Sequence, residues 1–599
     1  MNNLDYGIIG NCKSAALVSK QGSLDFCCLP EFDSMAFFAK LLDNKRGGHF
    51  AVNTVGKYRI TQKYVEKTNI LATRFANGPD IFEIRDFMPR YIRRTGSYNC
   101  PPDVIRFFKH ISGKPRIKLD YQPRPVYGHY EPSITVNNNY IKASSSNGTY
   151  ESLYLYSDLD LEKIRSGDVI ELTQDSFVLV SYNQKIVLPS IDSVRLRYYR
   201  TLSYWMSWVD RTHELARYNK EVERSLLVLK LLACQNSGAI LAAATTSLPE
   251  TIGEVRNWDY RYCWIRDASM TVSVLIRMGH KNVAKRFLHF ILDIVPFKDQ
   301  KIQIMYGPRG EKRLTEKTLD WLEGYEGSKP VRIGNAAYLQ KQNDIYGVLV
   351  DVIYQSLVNY QSDIENLNEI WTVVRTLARY VEKNWKKKDK GIWEYRSEKK
   401  HFTFSRILCW VAMDRAIKIA SFFRKDEIAR PWIKLRDEIK AEIMKRGCCK
   451  HGMVFTQSYG DKHLDASNLL AEHYGFVTAD DPVYVNTVRE TYKQLCRDGL
   501  MYRYKNPDDF GKPKSSFTVC TFWMIKSLWQ IGEKETAQKM FDDVLKHSNH
   551  LGLLSEDMDF ETKRLLGNFP QAYSHLALID TAITLSGGDM NVSRKIFNR

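Results

Sequence analysis

Arg256 to Met270 reads RNWDYRYCWIRDASM, in which four aromatic side chains (Trp258, Tyr260, Tyr262 and Trp264) mix with five ionic ones (Arg256, Asp259, Arg261, Arg266 and Asp267) just before an apolar helical run. A buried helix has no use for so many charges, and a solvated surface has none for so many rings. A pocket for a neutral polyhydroxyl ligand needs both: rings stack on C–H faces while Arg and Asp hydrogen-bond hydroxyls. The competing interpretation is an aromatic-rich helix start with surface ion pairs.

Downstream of this stretch nearly everything has helical periodicity. Helices are expected over Glu221 to Gln235, Asp267 to Met278, Val283 to Ile294, Gly334 to Tyr360, Asn368 to Trp385 and Thr403 to Phe423. They continue over Glu427 to Lys445, Asp465 to His473, Pro482 to Leu495, Phe517 to Trp529, Glu535 to Lys546 and Phe569 to Ser586. About a dozen helices without alternating strands exclude a doubly wound sheet and predict paired helices closing into an (α/α)6 barrel, with loops at one end lining one pocket. The absence of a repeat at fixed spacing argues against a solenoid.

Upstream, from Leu4 to about Tyr198, the signals are those of strands. Ala15 to Pro30 has two apolar runs around a Gln-Gly turn, and Ile81 to Met88, Arg116 to Tyr121, Ser152 to Tyr156 and Ser176 to Tyr182 are short and bounded by turn formers. The expected fold is therefore multidomain: an amino-terminal antiparallel β-sandwich over residues 1–195, a helical linker over 196–220 and an (α/α)6 barrel over 221–599. No Gly/Ser-rich segment separates them, which predicts rigid attachment.

Bulk properties narrow the function. A chain of 599 residues exceeds the usual single core. No segment reaches the roughly 18 to 20 unbroken apolar residues of a membrane span, and the start MNNLDYGIIGNCK lacks a basic, then apolar leader, so a cytoplasmic protein beginning at Met1 is expected. The eleven cysteines are scattered and odd in number, without ligand spacing, and the histidines do not cluster; free thiols and no metal or other cofactor are expected. The net charge of +18 arises from 87 basic residues interleaved with 69 acidic ones. Its densest run, KKKDK at 386–390, follows a helix end that favours cations, so the basicity reads as a solvated face rather than a nucleic-acid site.

Three further loops mix aromatic and ionic groups: GIWEYR (391–396), DGLMYRYKNPD (498–508) and LLSEDMDFETKRLLGNFPQAY (553–573). Glu394, between Trp393 and Tyr395, has flanking rings that would desolvate its carboxyl and raise its pKa, as a general acid requires. Glu556 would serve as a carboxylate base for a bound water. Taken singly, each has a plainer explanation, an exposed glutamate at a helix boundary and a helix-capping acid. Together, on separate loops beside an aromatic pocket, they form the pair that glycosidic cleavage needs.

The strings NWDYRYCWIRDASM, GSKPVRIGNAAYLQ (327–340), GIWEYR, LDASNLL (464–470) and SED…LGNFPQAYSHLALI closely resemble glycoside hydrolase family 15, the glucoamylases and related trehalases. The start, YGIIGNCKSAALVSKQGSLDFCCLPEFDS, resembles that family's prokaryotic amino-terminal sandwich, so the likeness spans nearly the whole chain. The resemblance implies an exo-acting, inverting, metal-free hydrolase of α-glucosides. Matched motif by motif, it implies Glu394 as general acid and Glu556 as general base. It places Trp264, Arg266 and Asp267 on the terminal glucose, Tyr260 beside the oxocarbenium-like centre and Arg503 as a further sugar-binding arginine. Trp393 joins the pocket as the neighbour of Glu394, and Tyr325 and Arg332 are the less closely matched pocket candidates.

Glu31, Glu326 and Lys512 to Ser516 depart from the family pattern in loops that would shape the pocket beyond the first glucose. The expected partner is an oligosaccharide or small α-glucoside, with no nucleic acid and no membrane; a homo-oligomer is compatible with the sequence. Glucose release from α-glucan or maltooligosaccharide ends is placed slightly ahead of trehalose cleavage. A phosphorylase on the same barrel and an inactive sugar-binding protein are the remaining alternatives.

Overall fold

A computed structural model of the protein describes residues 3–295, 302–360, 366–449 and 453–587; the ends of the expected domains, 1–2 and 588–599, lie outside them. The amino-terminal part packs a seven-stranded antiparallel sheet on an eight-stranded one. In the strand Asp103–Ser112, Val104 and Phe108 enter the core between the sheets while Ile105 and Phe107 face the other way. Phe177 and Leu179 repeat that outward set in Ser176–Tyr182. The period of two thus gives the larger sheet two apolar faces. Its outer face is covered by Val194 and Tyr198 of the helix Ile191–Val209, whose Trp205, Trp208 and Val209 pack instead into the barrel's core. One amphipathic helix, begun by the cap Ser190, therefore joins the two halves through apolar contact.

The other sheet couples them a second time. Tyr6–Gly10, Ala15–Ser19 and Leu24–Cys28 are buried along their whole length. Ile8, Leu17 and Phe26 belong to the barrel's core and Ile9, Val18 and Cys27 to the sandwich's. Each such side chain removed from water stabilises by about 1.5–3 kcal/mol.

The second half is a closed ring of six inner elements: Ile265–Arg277, Asp344–Tyr360, Thr403–Phe422, the 3-10 helix Ala466–Ala471, Thr518–Gln530 and Ala572–Leu585. Outside them lie Lys281–Ile294, Leu367–Asn384, Asp426–Arg446, Pro482–Leu495, Lys534–Leu545 and Asn219–Leu232. The inner helices are buried nearly all round and the outer ones on one face, except Asn219–Leu232, which is buried on every side from Arg224 onward.

Two expected helices are corrected. Gly334 to Tyr360 is not continuous: Gly334 is left-handed (φ 74°), and Asn335 caps a short 3-10 turn, Ala336–Leu339, by accepting from the Ala337 amide, so the helix begins at Asp344. Asp465 to His473 is a 3-10 rather than an α-helix, because Asp465 accepts from the Ser467 amide and fixes a tight first turn. All eleven cysteines are free thiols.

Candidate active site

Loops from five parts of the ring converge on one cavity. Its wall includes Trp258, Tyr260, Trp264, Arg266, Asp267, Trp393, Glu394 and Arg503, with Glu250, Arg256, Asp508 and Phe510 beside them. Asp259 forms an isolated bridge with Thr246, and about it adjacent residues alternate. Trp258, Tyr260 and Trp264 face the cavity, whereas Asp259 and Arg261 turn away from it. Arg261 is fully buried, pairs with Asp259 and donates to the carbonyl of Ser34 at 2.9 Å, so it clamps the sandwich to the barrel rather than reading a ligand.

Trp264 ends a two-residue strand paired with Met305–Tyr306, and the inner helix begins at once with Ile265. That junction places Arg266 and Asp267 in the helix's first turn. The Arg266 Nε donates to Asp267 Oδ1 at 3.0 Å and its Nη1 to Gln342 at 3.1 Å, with Asp344 at 3.4 Å. Burial pushes the Asp267 carboxyl up to about 6, against the pull of Arg266 and with a further push from Glu394.

Glu394 sits on the turn that follows Gly391, in the left-handed region at φ 60°. For a glutamate this backbone is strained by roughly 1–3 kcal/mol. It is held there by the side chain of Gln340, which donates to the Glu394 carbonyl at 3.1 Å, and by the Trp264 indole, which donates to its Oε1 at 2.7 Å. Gly391 is required where it stands: its φ is 66°, and a Cβ would meet the Phe402 ring at 2.8 Å. Trp393 is fixed by donating to Asp465 at 2.9 Å.

Glu556 lies one layer behind the wall, 1% exposed, and its Oε1 accepts from the Tyr260 hydroxyl at 2.5 Å. Gly567, left-handed at φ 72°, passes so close that a Cβ would fall 2.7 Å from that of Glu556. Burial, then the nearby Glu250 carboxylate, raises the Glu556 carboxyl to about 8; the Tyr260 hydroxyl and Arg503 pull it back. Asp557 is raised by the same burial and by both glutamates. One guanidinium, Arg503, faces all three acids and bonds Glu250 at 2.9 Å. Its buried Nε has no partner among the described residues.

Two expected pocket residues are not brought to the cavity. Tyr325 is buried elsewhere and accepts from Arg564 at 3.2 Å. Arg332 donates to the carbonyls of Val255 and Asn257 and lays its guanidinium 4.4 Å over Trp258, so it supports a wall residue without being one. The loop departures also stay off the wall: Glu31 pairs with Arg309, Glu326 with Arg564, and Lys512 to Ser516 do not line the cavity. Sequence reasoning missed Glu250 and Gln342. Glu250 stands in TTSLPE, where the only available signal was an acid ending an apolar run just ahead of the aromatic stretch.

The family model described as Glycosyl hydrolases family 15 matches residues 216–531 and 530–583, and one described as Trehalase-like, N-terminal matches residues 5–179. A protein named Trehalase from Thermoplasma volcanium is 35% identical over 99% of this chain and 94% of its own length. Another named Trehalase, from Mycolicibacterium smegmatis, is 33% identical over 97% of this chain and 90% of its own. Among solved structures, a bacterial glucoamylase complexed with acarbose superposes with a TM-score of 0.71 at 14% identity, covering 100% of this chain and 96% of that one. That likeness concerns the fold.

Proposed function

This chain belongs to glycosyl hydrolases family 15, and from that premise we propose that it is an inverting α,α-trehalase. The choice of trehalose over α-glucan ends is carried by one observation: the chain is similar, almost end to end and at 33–35% identity, to proteins named Trehalase. The earlier preference for glucan ends is reversed on that ground. The cavity agrees with a short substrate. Beyond Glu394 its wall is made of Trp258, Arg256, Asp508 and Phe510, with Arg256 and Asp508 locked together at 2.6 Å, which suits a second small sugar.

Arg266 and Asp267 hold hydroxyls of one glucose, and the unpartnered Nε–H of Arg503 offers another donor. Trp264 occupies one oxygen of Glu394, leaving the other to protonate the glycosidic oxygen as the C–O bond breaks. Glu556 takes a proton from water attacking the opposite face of the anomeric carbon; Tyr260 fixes its Oε1, and Oε2, which the Asn568 amide meets at only 3.4 Å, keeps a lone pair to accept. Inversion requires the two carboxyls roughly 6.5–9.5 Å apart, so that this water fits. Each turnover consumes one water and yields one β-glucose from the attacked ring and one α-glucose from the leaving ring.

Parallel incubation with trehalose, maltotriose and starch tests the substrate. Trehalose should be cleaved, and hydrolysis of maltotriose and starch with trehalose untouched would overturn the assignment. Proton NMR at early times should show equal α- and β-glucose from trehalose; α-glucose alone would exclude inversion.

A further inference from the structure

A second cavity, of about 820 Å³, opens between the sandwich, the helix Ile191–Val209 and the start of the helix Lys281–Ile294, and shares no lining residue with the first. Arg93, Arg94, Arg200, Arg211, Lys230 and Arg286 line it, and no aspartate or glutamate among the described residues does. Over the whole chain basic and acidic residues stand at 87 to 69, so a lining with only one sign is a local arrangement and not a consequence of composition. Asp210, the acid next to Arg211 in sequence, is engaged by Lys67 at 2.9 Å.

Lys230 is the telling residue. It is 6% exposed, lines this cavity, and forms no ion pair or side-chain hydrogen bond among the described residues. A buried ammonium without a counter-charge is costly, and such groups are ordinarily paired. Burial, reinforced by Arg90 and Arg286, lowers its pKa to about 8. The helix Lys281–Ile294 presents its N-terminus to the same space, with no side-chain cap on it, so its dipole adds to the positive field.

Rings complete the site. Tyr98 and Tyr199, at 41% and 60% exposed, stand on its lining. Arg90 lies 5.0 Å from the Tyr98 ring and 4.6 Å from that of Tyr204 and fixes both.

We propose that this crevice is a binding site for a phosphoryl group borne by a small ring-containing molecule. The dianion would sit between Lys230, Arg211, Arg286 and the helix N-terminus, with the ring against Tyr98 and Tyr199. The cations surround a concavity rather than running along an exposed track, which favours a small ligand over a long polyanion.

The test is calorimetric titration of the intact protein with inorganic phosphate and with adenosine monophosphate, against chloride at matched ionic strength, using wild type, Lys230→Met and Arg211→Ala/Arg286→Ala. Saturable one-to-one binding is expected, tighter for the nucleotide, and weakened at least ~tenfold in either variant, as expected for loss of charge-assisted hydrogen bonds. Equal affinity for phosphate and nucleotide would retain the phosphoryl site and assign it to the free ion. Absence of saturable binding beyond the chloride control, or affinity unchanged in the variants, would overturn the proposal. The paired arginine variant carries the test if Lys230→Met fails to fold. Binding of an oligonucleotide but of neither small probe would also overturn it.

Discussion

The Tyr260 hydroxyl donates to Glu556 Oε1 at 2.5 Å, and the Tyr260 ring meets Trp264, 5.2 Å away, whose indole donates to Glu394. Two acids 162 positions apart in sequence are thus joined through two neighbouring aromatic residues of one stretch. The hydroxyl favours the ionised form of Glu556, the form a base must have. Tyr260→Phe should therefore lower kcat by ~10–100-fold, the range for a hydrogen bond to a charged group. It should also move the rising limb of the kcat/KM pH profile to higher pH. A slower enzyme with an unmoved limb would disconnect Tyr260 from the base.

Glu250 acts on the same carboxyl with the opposite sign, since its charge disfavours ionisation of Glu556. In wild type the limb belonging to Glu556 is expected above the ordinary carboxylate range. Glu250→Gln removes one negative charge and releases Arg503 toward Glu556, so the limb should shift to lower pH while KM rises from the loosened arginine. A limb shifting upward would contradict this arrangement of charges.

Glu394→Gln and Glu556→Gln keep shape and remove the proton-transfer groups. Each should reduce turnover of trehalose by at least ~100-fold, the lower range for general acid–base catalysis, with the circular dichroism spectrum and melting temperature retained. Activity within a few-fold of wild type in either variant would remove that residue from the proposed mechanism.

How far the sequence carried the site depends on which neighbour each residue answers to. The sandwich, the barrel and the aromatic stretch were legible, because a period of two or 3.6 and the mixture of rings with charges are properties of contiguous residues. Within RNWDYRYCWIRDASM the division of labour was legible in principle too. Alternation about the bridged Asp259 sends Tyr260 one way and Asp259 and Arg261 the other, so charges that resembled ligand readers became a clamp on the carbonyl of Ser34. Glu250 and Gln342 were not legible, since their meaning comes from Arg503 and Arg266, 253 and 76 positions distant. Tyr325 and Arg332 failed for a related reason: a neighbouring motif places a residue near a pocket without fixing the direction of its side chain.

Arg266 forms a separate test, of grip rather than chemistry. Its guanidinium bonds Asp267 and Gln342 at once, and the Gln342 side chain in turn lies 3.4 Å from Glu394 Oε1. A lysine preserves the charge but not the planar fork. Arg266→Lys is thus expected to raise KM for trehalose by ~tenfold or more, about one charge-assisted hydrogen bond, with a smaller loss of kcat. A purely structural role would instead appear as a lowered melting temperature with KM unchanged.

Behind the cavity the ring is closed by a charge cluster whose sign determines how stability follows pH. Asp580 of the inner helix Ala572–Leu585 pairs with Arg277 and, at 2.5 Å, with Lys526. Burial alone would raise its pKa, but Lys526 and Arg277 outweigh burial and hold the carboxyl far below the usual range. A folded-state pKa below the unfolded value of ~3.9 stabilises the native state fully at pH above that value, and the contribution is lost as pH falls through the folded value. Asp580→Asn removes the counter-charge of the buried Lys526 and the partly buried Arg277, for which about 3–5 kcal/mol of destabilisation is expected at neutral pH. Urea unfolding at pH 7 should show that loss. The gap between wild type and variant should narrow only on the acid side, below pH ~4, where the carboxylate of the unfolded chain begins to take up its proton while the native one stays ionised. A gap that is already closed at pH 5, or that widens on acidification, would show that the cluster does not hold Asp580 ionised.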